Sequence, residues 1–173
     1  MPPEIEIKIL RPGDDLILAN VAPQLFDNPI DPALAKEFLA DSRHHIAVAL
    51  DPSIDASPAT SPEPSSVASL DTFLVVGFAS AVHYLHPDKP PELWINEVAV
   101  SPTHCRRGLG KTLLRALLDV GRAHHCVNAW VLTHRSNSAA MALYAAAGGT
   151  EGADDSGPHD AVLGYSFNLV AQY

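Results

Sequence analysis

One stretch narrows the possible folds of this chain more than any other: residues 92–122 read as a strand, a glycine-bearing loop and an amphipathic helix in immediate succession. In Glu92 to Val100, residues alternate, with Leu93, Ile95, Glu97 and Ala99 on one face and Trp94, Asn96, Val98 and Val100 on the other. Ser101-Pro102 ends the strand, and the loop Thr103-His104-Cys105-Arg106-Arg107-Gly108-Leu109-Gly110-Lys111 follows. Leu109, Leu113, Leu114, Leu117 and Leu118 then recur at helical spacing, which predicts a helix with one leucine stripe against a sheet. A strand that feeds a helix through so short a loop calls for an α/β layer structure.

The flanking sequence completes that picture. Glu4 to Leu10 alternates as a half-buried strand, stopped by Arg11-Pro12-Gly13-Asp14. Asp14 or Asp15 is placed to cap a helix carrying Leu16, Ile17, Leu18 and Val21, and Asp31-Pro32 opens another with Leu34, Phe38 and Leu39 as its stripe. His45 to Leu50 and Phe73 to Tyr84 read as strands, with a turn from His86 to Pro91. Between them, residues 51–71 are rich in Pro, Ser and Ala and predict an exposed mobile loop. Val127 to Thr133 is a strand, Ser138 to Ala147 a small helix ended by Gly148-Gly149, and Ala161 to Leu169 a closing strand. The 173 residues fit a single domain, 1–173, with a mixed sheet.

Charge sets the range of partners. Eleven basic against twenty acidic side chains give −9, which disfavours nucleic acid and favours a cationic substrate. No apolar run approaches the ~18 residues of a spanning helix, and the N-terminus lacks the pattern of a secretory signal, so no membrane association is expected. Cys105 and Cys126 form no disulfide framework and show no metal-ligand spacing, so a cytoplasmic protein with reduced thiols and no metal is the expectation. Within this acidic chain, Arg106, Arg107 and Lys111 reverse the sign locally beside Gly108 and Gly110. A helix start with unpaired N–H groups and added positive charge predicts a phosphate-bearing ligand. A triphosphate-binding P-loop is excluded, because the glycine it needs five residues before Gly110 is Cys105 and no aspartate ends the strand at Thr133.

Three blocks in order, Asn96-Glu97-Val98-Ala99-Val100-Ser101-Pro102, Arg106-Arg107-Gly108-Leu109-Gly110 and Asn137 through Gly148, resemble the GNAT superfamily of acyl-CoA-dependent N-acyltransferases. The likeness covers about residues 73–169, and Ile95 to Val100 together with Ala140 to Tyr144 look most like aminoglycoside 3-N-acetyltransferases. It implies an α/β (α+β type) fold with a central mixed, mostly antiparallel sheet flanked by helices. It further implies acetyl-CoA as donor, with pantetheine along Val98, Ala99 and Val100 and pyrophosphate at Arg106, Arg107, Gly108, Gly110 and Lys111. Asn137 matches an asparagine near the cofactor. Cys105 stands where the family usually has Arg or Gln, so one pyrophosphate contact is either lost or taken over by Arg106. Gly149 replaces an aromatic or aliphatic residue, a question of local packing.

The implied reaction is direct attack of an amine on the acetyl thioester. Glu97 is the candidate base or amine-binding acid, against a salt-bridged strand-end glutamate. Tyr144 is the candidate acid for the departing thiolate, against a buried core tyrosine, and the Val98 N–H is placed for the oxyanion. His134 is a reserve base. His124 and His125, adjacent near a helix end, diverge by about 100° and favour contact with the helix C-terminus over chelation. His83, His86 and His159 are either cleft or ordinary surface residues, and Cys105 lacks the partners of a nucleophile. Glu151, Asp154, Asp155 and Asp160 form an acidic loop that either binds a polycationic acceptor or is simply solvated. The acceptor is therefore expected to be an aminoglycoside, with a protein, peptide, polyamine or metabolite amine as the alternative. A non-catalytic acyl-CoA-binding module is the reading from another class, and the resemblance allows a homodimer.

Overall fold

The computed structural model describes residues 4–52, 73–152 and 162–170. Seven strands, β1 (Glu6–Ile9), β2 (His44–Asp51), β3 (Leu74–His86), β4 (Lys89–Val100), β5 (Asn128–His134), β6 (Thr150–Glu151) and β7 (Val162–Asn168), form one sheet in the order β1-β2-β3-β4-β5-β7-β6. All neighbours are antiparallel except β4 and β5. Three helices accompany it: α1 (Pro32–Ala40), α2 (Leu109–Ala123) and α3 (Ser138–Ala146). The expected mixed, mostly antiparallel α/β architecture is what the chain adopts. Among the described residues no helix is long and apolar enough to cross a membrane.

The sheet is covered on both faces, which explains why its central strands are apolar throughout. Ala47 and Ala49 of β2 pack with Leu113, Leu114 and Leu117 of α2, whereas Ile46, Val48 and Leu50 pack with Leu39 of α1 and with Phe78. Period-two alternation thus feeds two cores from one strand. The leucine stripe of α2 is buried as its spacing predicts, with Leu113, Leu114 and Leu117 fully inaccessible. Asp31 caps α1 by accepting from Ala33 N (2.8 Å) and Leu34 N (3.3 Å), with Pro32 in the first turn.

Three expectations change. The segment after Asp14 is a short 3₁₀ turn, Asp15–Ala19, and Asp14 does not cap it; its carboxylate takes Lys8 Nζ (2.9 Å) and Arg11 N (2.9 Å) instead. The β3–β4 turn is confined to Pro87-Asp88, so both strands run longer than their apolar cores. In α1, Leu34 does not join the core but stays 64% exposed. Residues 53–71 of the proposed mobile loop lie outside the described residues.

A β-bulge in β4 matters most for the site. Ser80 pairs with Glu97 but Ala81 pairs with Ile95, leaving Asn96 as an extra residue. The alternation read along Leu93 to Val100 therefore breaks at Asn96, because an inserted residue flips every later side chain to the other face. Leu93, Ile95, Val98 and Val100 share the α2 face, while Ala99 and Glu97 turn toward α1.

Candidate active site

β4 pairs with β5 only through Glu92, Leu93 and Trp94, where Trp94 stacks on Trp130 (centroids 4.9 Å apart, 11° between planes). Past that point, among the described residues, β4 has a partner on its β3 side alone. Ser101 N donates to Val76 O (2.8 Å), so Ser101 and, two residues back, Ala99 face β3. By the period-two alternation of an antiparallel ladder, the N–H and C=O groups of Val98 and Val100 point away from β3 along the open edge. A ligand with amide groups can pair there as an added strand.

A cleft of about 500 Å³ opens along this edge, lined by Val98, Val100, Arg106, Gly108, Gly110, Lys111, Asn137 and Tyr144 among others. Seven of the predicted donor-binding residues thus meet in one place. The other two do not line it: Ala99 packs in the core on the α1 side, and Arg107 lies on the exposed loop. Arg106 (φ 61°) and Gly108 (φ 80°) adopt left-handed backbone, which turns the loop into the start of α2; for Gly108 this conformation carries no side-chain penalty. No side chain caps α2, so the N–H groups of its first turn remain available at the positive end of the helix dipole. Among the described residues none of Arg106, Arg107 and Lys111 is in an ion pair. Uncapped donors, free cations and an open strand edge together suit a diphosphate with an amide-bearing tail. Asn137 caps α3, its Oδ1 accepting from Ala140 N (3.0 Å), and turns that helix start toward the same cleft.

The loop is held from beneath by a network that sequence reading did not find. His104 is buried, with Nε2 2.8 Å from Asp51 Oδ2 and Nδ1 2.8 Å from Thr103 Oγ1, which lies 3.1 Å from Ser101 Oγ. Asp51 ends β2, 53 residues away along the chain, so no local pattern signals the pair. Both ring nitrogens of His104 are engaged, and Cys105 Sγ donates weakly to the carbonyls of Val100 (3.6 Å) and Ser101 (3.5 Å). Cys105 thus has no base beside it and remains a lining residue, as its lack of partners in the sequence predicts.

On the opposite face of the sheet, a largely apolar pocket of about 310 Å³ is walled by Phe26, Ile30, Leu34, Phe38 and Phe78, with Glu97 on its rim. Phe26 stacks on Phe78 at 4.0 Å. The exposure of Leu34 is explained here, since α1 offers Leu34 and Phe38 to the pocket. Partial burial and, after it, the charge of Asp27 push the Glu97 carboxyl above its usual range. Glu97 forms no ion pair among the described residues. Tyr144, buried in α3, has its phenol pushed up by burial and then by the charge of Glu97. The charge of Glu97 thus reaches Tyr144 across the edge of β4.

Other candidates fall elsewhere. His134 is exposed at the end of β5 and lines neither cavity. Glu151 takes Arg135 Nη2 (3.2 Å) and the Tyr165 hydroxyl (3.1 Å), so it is not a free acid for an acceptor. Asp154, Asp155 and Asp160 lie outside the described residues. Gly149 has a clear cause: a Cβ there would stand 2.7 Å from the Phe167 ring, which fills the space a larger residue would use.

Comparison with known proteins agrees with this geometry. The chain is 36% identical over 78 residues to L-2,4-diaminobutyric acid acetyltransferase of Nocardia farcinica, a match that spans 45% of this chain and 39% of that protein. It is 40% identical over 60 residues to the ribosomal protein bS18-alanine N-acetyltransferase of Salmonella typhimurium, covering 35% of this chain and 40% of that one. Both matches thus span well under half of the curated relatives. In fold it is similar to an aminoglycoside acetyltransferase from an uncultured soil metagenomic sample solved with sisomicin (TM-score 0.62, 16% identity, 83% of this chain and 86% of that one). The family model described as the acetyltransferase (GNAT) family matches residues 34–148, well over half of the sequence. With its bulged β4, glycine loop and uncapped α2 in their places, the chain belongs to the GNAT acetyltransferase family.

Proposed function

We propose that this chain transfers the acetyl group of acetyl-CoA to a primary amine borne on a mainly apolar body. One observation carries the reading: the unpaired edge of β4 past Trp94 is where a cleft suited to a diphosphate and a pocket rimmed by an acid come together. The N–H groups at the start of α2, with Arg106 and Lys111, hold the diphosphate, and the backbone of Val98 and Val100 pairs with the pantetheine amides. Acetyl-CoA supplies an activated thioester. Glu97 accepts the proton of the incoming amine, directly or through water, as the C–N bond forms. The Val98 N–H points along the edge where charge develops on the carbonyl oxygen. Tyr144 gives its proton to the thiolate as the C–S bond breaks, and its raised pKa keeps the phenol protonated for that step.

The names of the two curated relatives, a free amino acid and a protein N-terminal alanine, support an amine acceptor without selecting one. The pocket selects further. Mostly apolar walls with two acids, Glu97 and the Asp31 that caps α1, suit an amine beside an apolar side chain, as in an amino acid or a peptide N-terminus. An aminoglycoside remains the second reading, favoured by the net charge of −9 and by Asp154, Asp155 and Asp160. Product mass spectrometry with acetyl-CoA, run across leucine- and phenylalanine-type amides, short peptides, diaminobutyrate, kanamycin and gentamicin, separates them. The expected result is kcat/KM at least ~10-fold higher for apolar amines, equivalent to about 1.4 kcal/mol. Faster turnover of gentamicin would establish the second reading, and no calorimetric heat with acetyl-CoA would overturn both.

A further inference from the structure

At the end of α2 remote from the glycine loop, about 22 Å along the helix at 1.5 Å per residue, three histidines gather that acetyl transfer does not use. His45 comes from β2, His83 from β3 and His124 from the C-cap of α2. One ring nitrogen from each lies within 4.8 Å of the other two. His45 Nε2 and His83 Nδ1 are 2.9 Å apart, and the His124 ring stacks on His83 with centroids separated by 4.4 Å. The backbone dictates the meeting. His45 pairs with Ala81, so His83 lies diagonally across on the same sheet face, which α2 covers. His125 takes left-handed backbone (φ 59°) and ends the helix there, leaving His124 over the pair.

Tetrahedral zinc with Zn–N distances of about 2.0–2.1 Å sets nitrogens about 3.3 Å apart. The observed spread, from 2.9 to at most 4.8 Å, brackets that value and closes by ring rotation. His45 and His124 also border a cavity of about 410 Å³, which leaves the fourth coordination position to water. Arg43 is the nearby cation, but Asp41 neutralises it through contacts of 2.8 and 3.1 Å. Three imidazole nitrogens with no thiolate favour zinc among abundant divalent ions.

We propose that His45, His83 and His124 form a three-histidine site for zinc that ties the C-terminal end of α2 to β2 and β3. It is independent of the catalytic reading and far from its residues. The test uses untagged protein stripped with EDTA, titrated with zinc chloride by calorimetry and followed by thermal unfolding. One zinc per chain, a rise in Tm that EDTA reverses, and a tetrahedral cobalt(II) spectrum without a thiolate charge-transfer band are the expected results. His124→Ala, at an exposed cap, and His83→Gln, on another element, should each weaken zinc by at least the ~10-fold that losing an outer-shell partner costs. The Tm of metal-free His124→Ala should stay within ~2 °C of the parent. A Tm indifferent to zinc, a thiolate band from Cys105 or Cys126, or full zinc affinity in both variants overturns the proposal.

Discussion

Replacing Glu97 with Gln tests the proposed chemistry most directly, because it removes the base and little else. An alkylamine with a pKa near 10.4 is almost wholly protonated at pH 7, and freeing its lone pair costs about 4–5 kcal/mol. A positioned base typically recovers ~10²–10⁴ in rate. Glu97 stands on the rim of the acceptor pocket without an ion-pair partner among the described residues, and its carboxyl is raised by partial burial and by Asp27. Both facts make it a stronger proton acceptor than a free carboxylate. We therefore expect Glu97→Gln to lower kcat/KM at pH 7 by ~10²–10³-fold, about 2.7–4 kcal/mol. The deficit should shrink about tenfold for each pH unit above 7, as the amine loses its proton unaided, and vanish near pH 10. In the parent enzyme the acid limb should lie above the ordinary carboxylate range: the base works only when ionised, so activity falls as pH drops through the raised pKa. Mass spectrometry of the product is the assay of choice, since Cys105 is exposed and consumes thiol reagents. A deficit under ~3-fold, or one that stays constant from pH 7 to 10, would refute proton transfer to Glu97.

Tyr144→Phe should lower kcat by ~10²-fold with KM little changed, and a donor with a more acidic leaving thiol should restore much of the rate; an unaltered kcat removes the phenol from the reaction. Gly149→Ala should cost about 1–3 kcal/mol by driving a methyl into Phe167, read as a lower urea midpoint, and Phe167→Leu in the same chain should recover part of it. If the midpoint holds, β7 yields more easily than the 2.7 Å contact indicates. His104→Phe removes one hydrogen-bond partner of Asp51, where both side chains are 6% exposed, and should cost about 1–3 kcal/mol. Calorimetry should also show weaker acetyl-CoA binding as the loop loosens; intact stability would show that Asp51 is held without His104.

Features set by neighbours in the chain were readable from the sequence. The leucine stripe of α2, the Asp31-Pro32 start of α1 and the loop with Gly108 follow from helical period, capping chemistry and left-handed backbone. For that reason Val98, Val100, Arg106, Gly108, Gly110, Lys111 and Asn137, which the sequence assigns to a donor, line one cleft. Alternation along β4 misled past Asn96, because whether a residue bulges depends on the register of the partner strand β3. The apolar stripe on α1 is likewise divided, Leu39 entering the core and Leu34 lining the apolar pocket.

The amino-acid order alone thus determined the family, the layer architecture and the glycine loop, since these rest on short-range periodicities and on motifs whose parts are nearly contiguous. Tertiary structure alone decided that Glu97 faces α1 rather than α2, that an apolar pocket lies beside it, that Asp51 braces His104 from 53 residues away, and that three histidines from three elements converge. Each of those depends on which distant segments pack together, and side chains far apart in the chain carry no local record of the neighbours that packing will bring them.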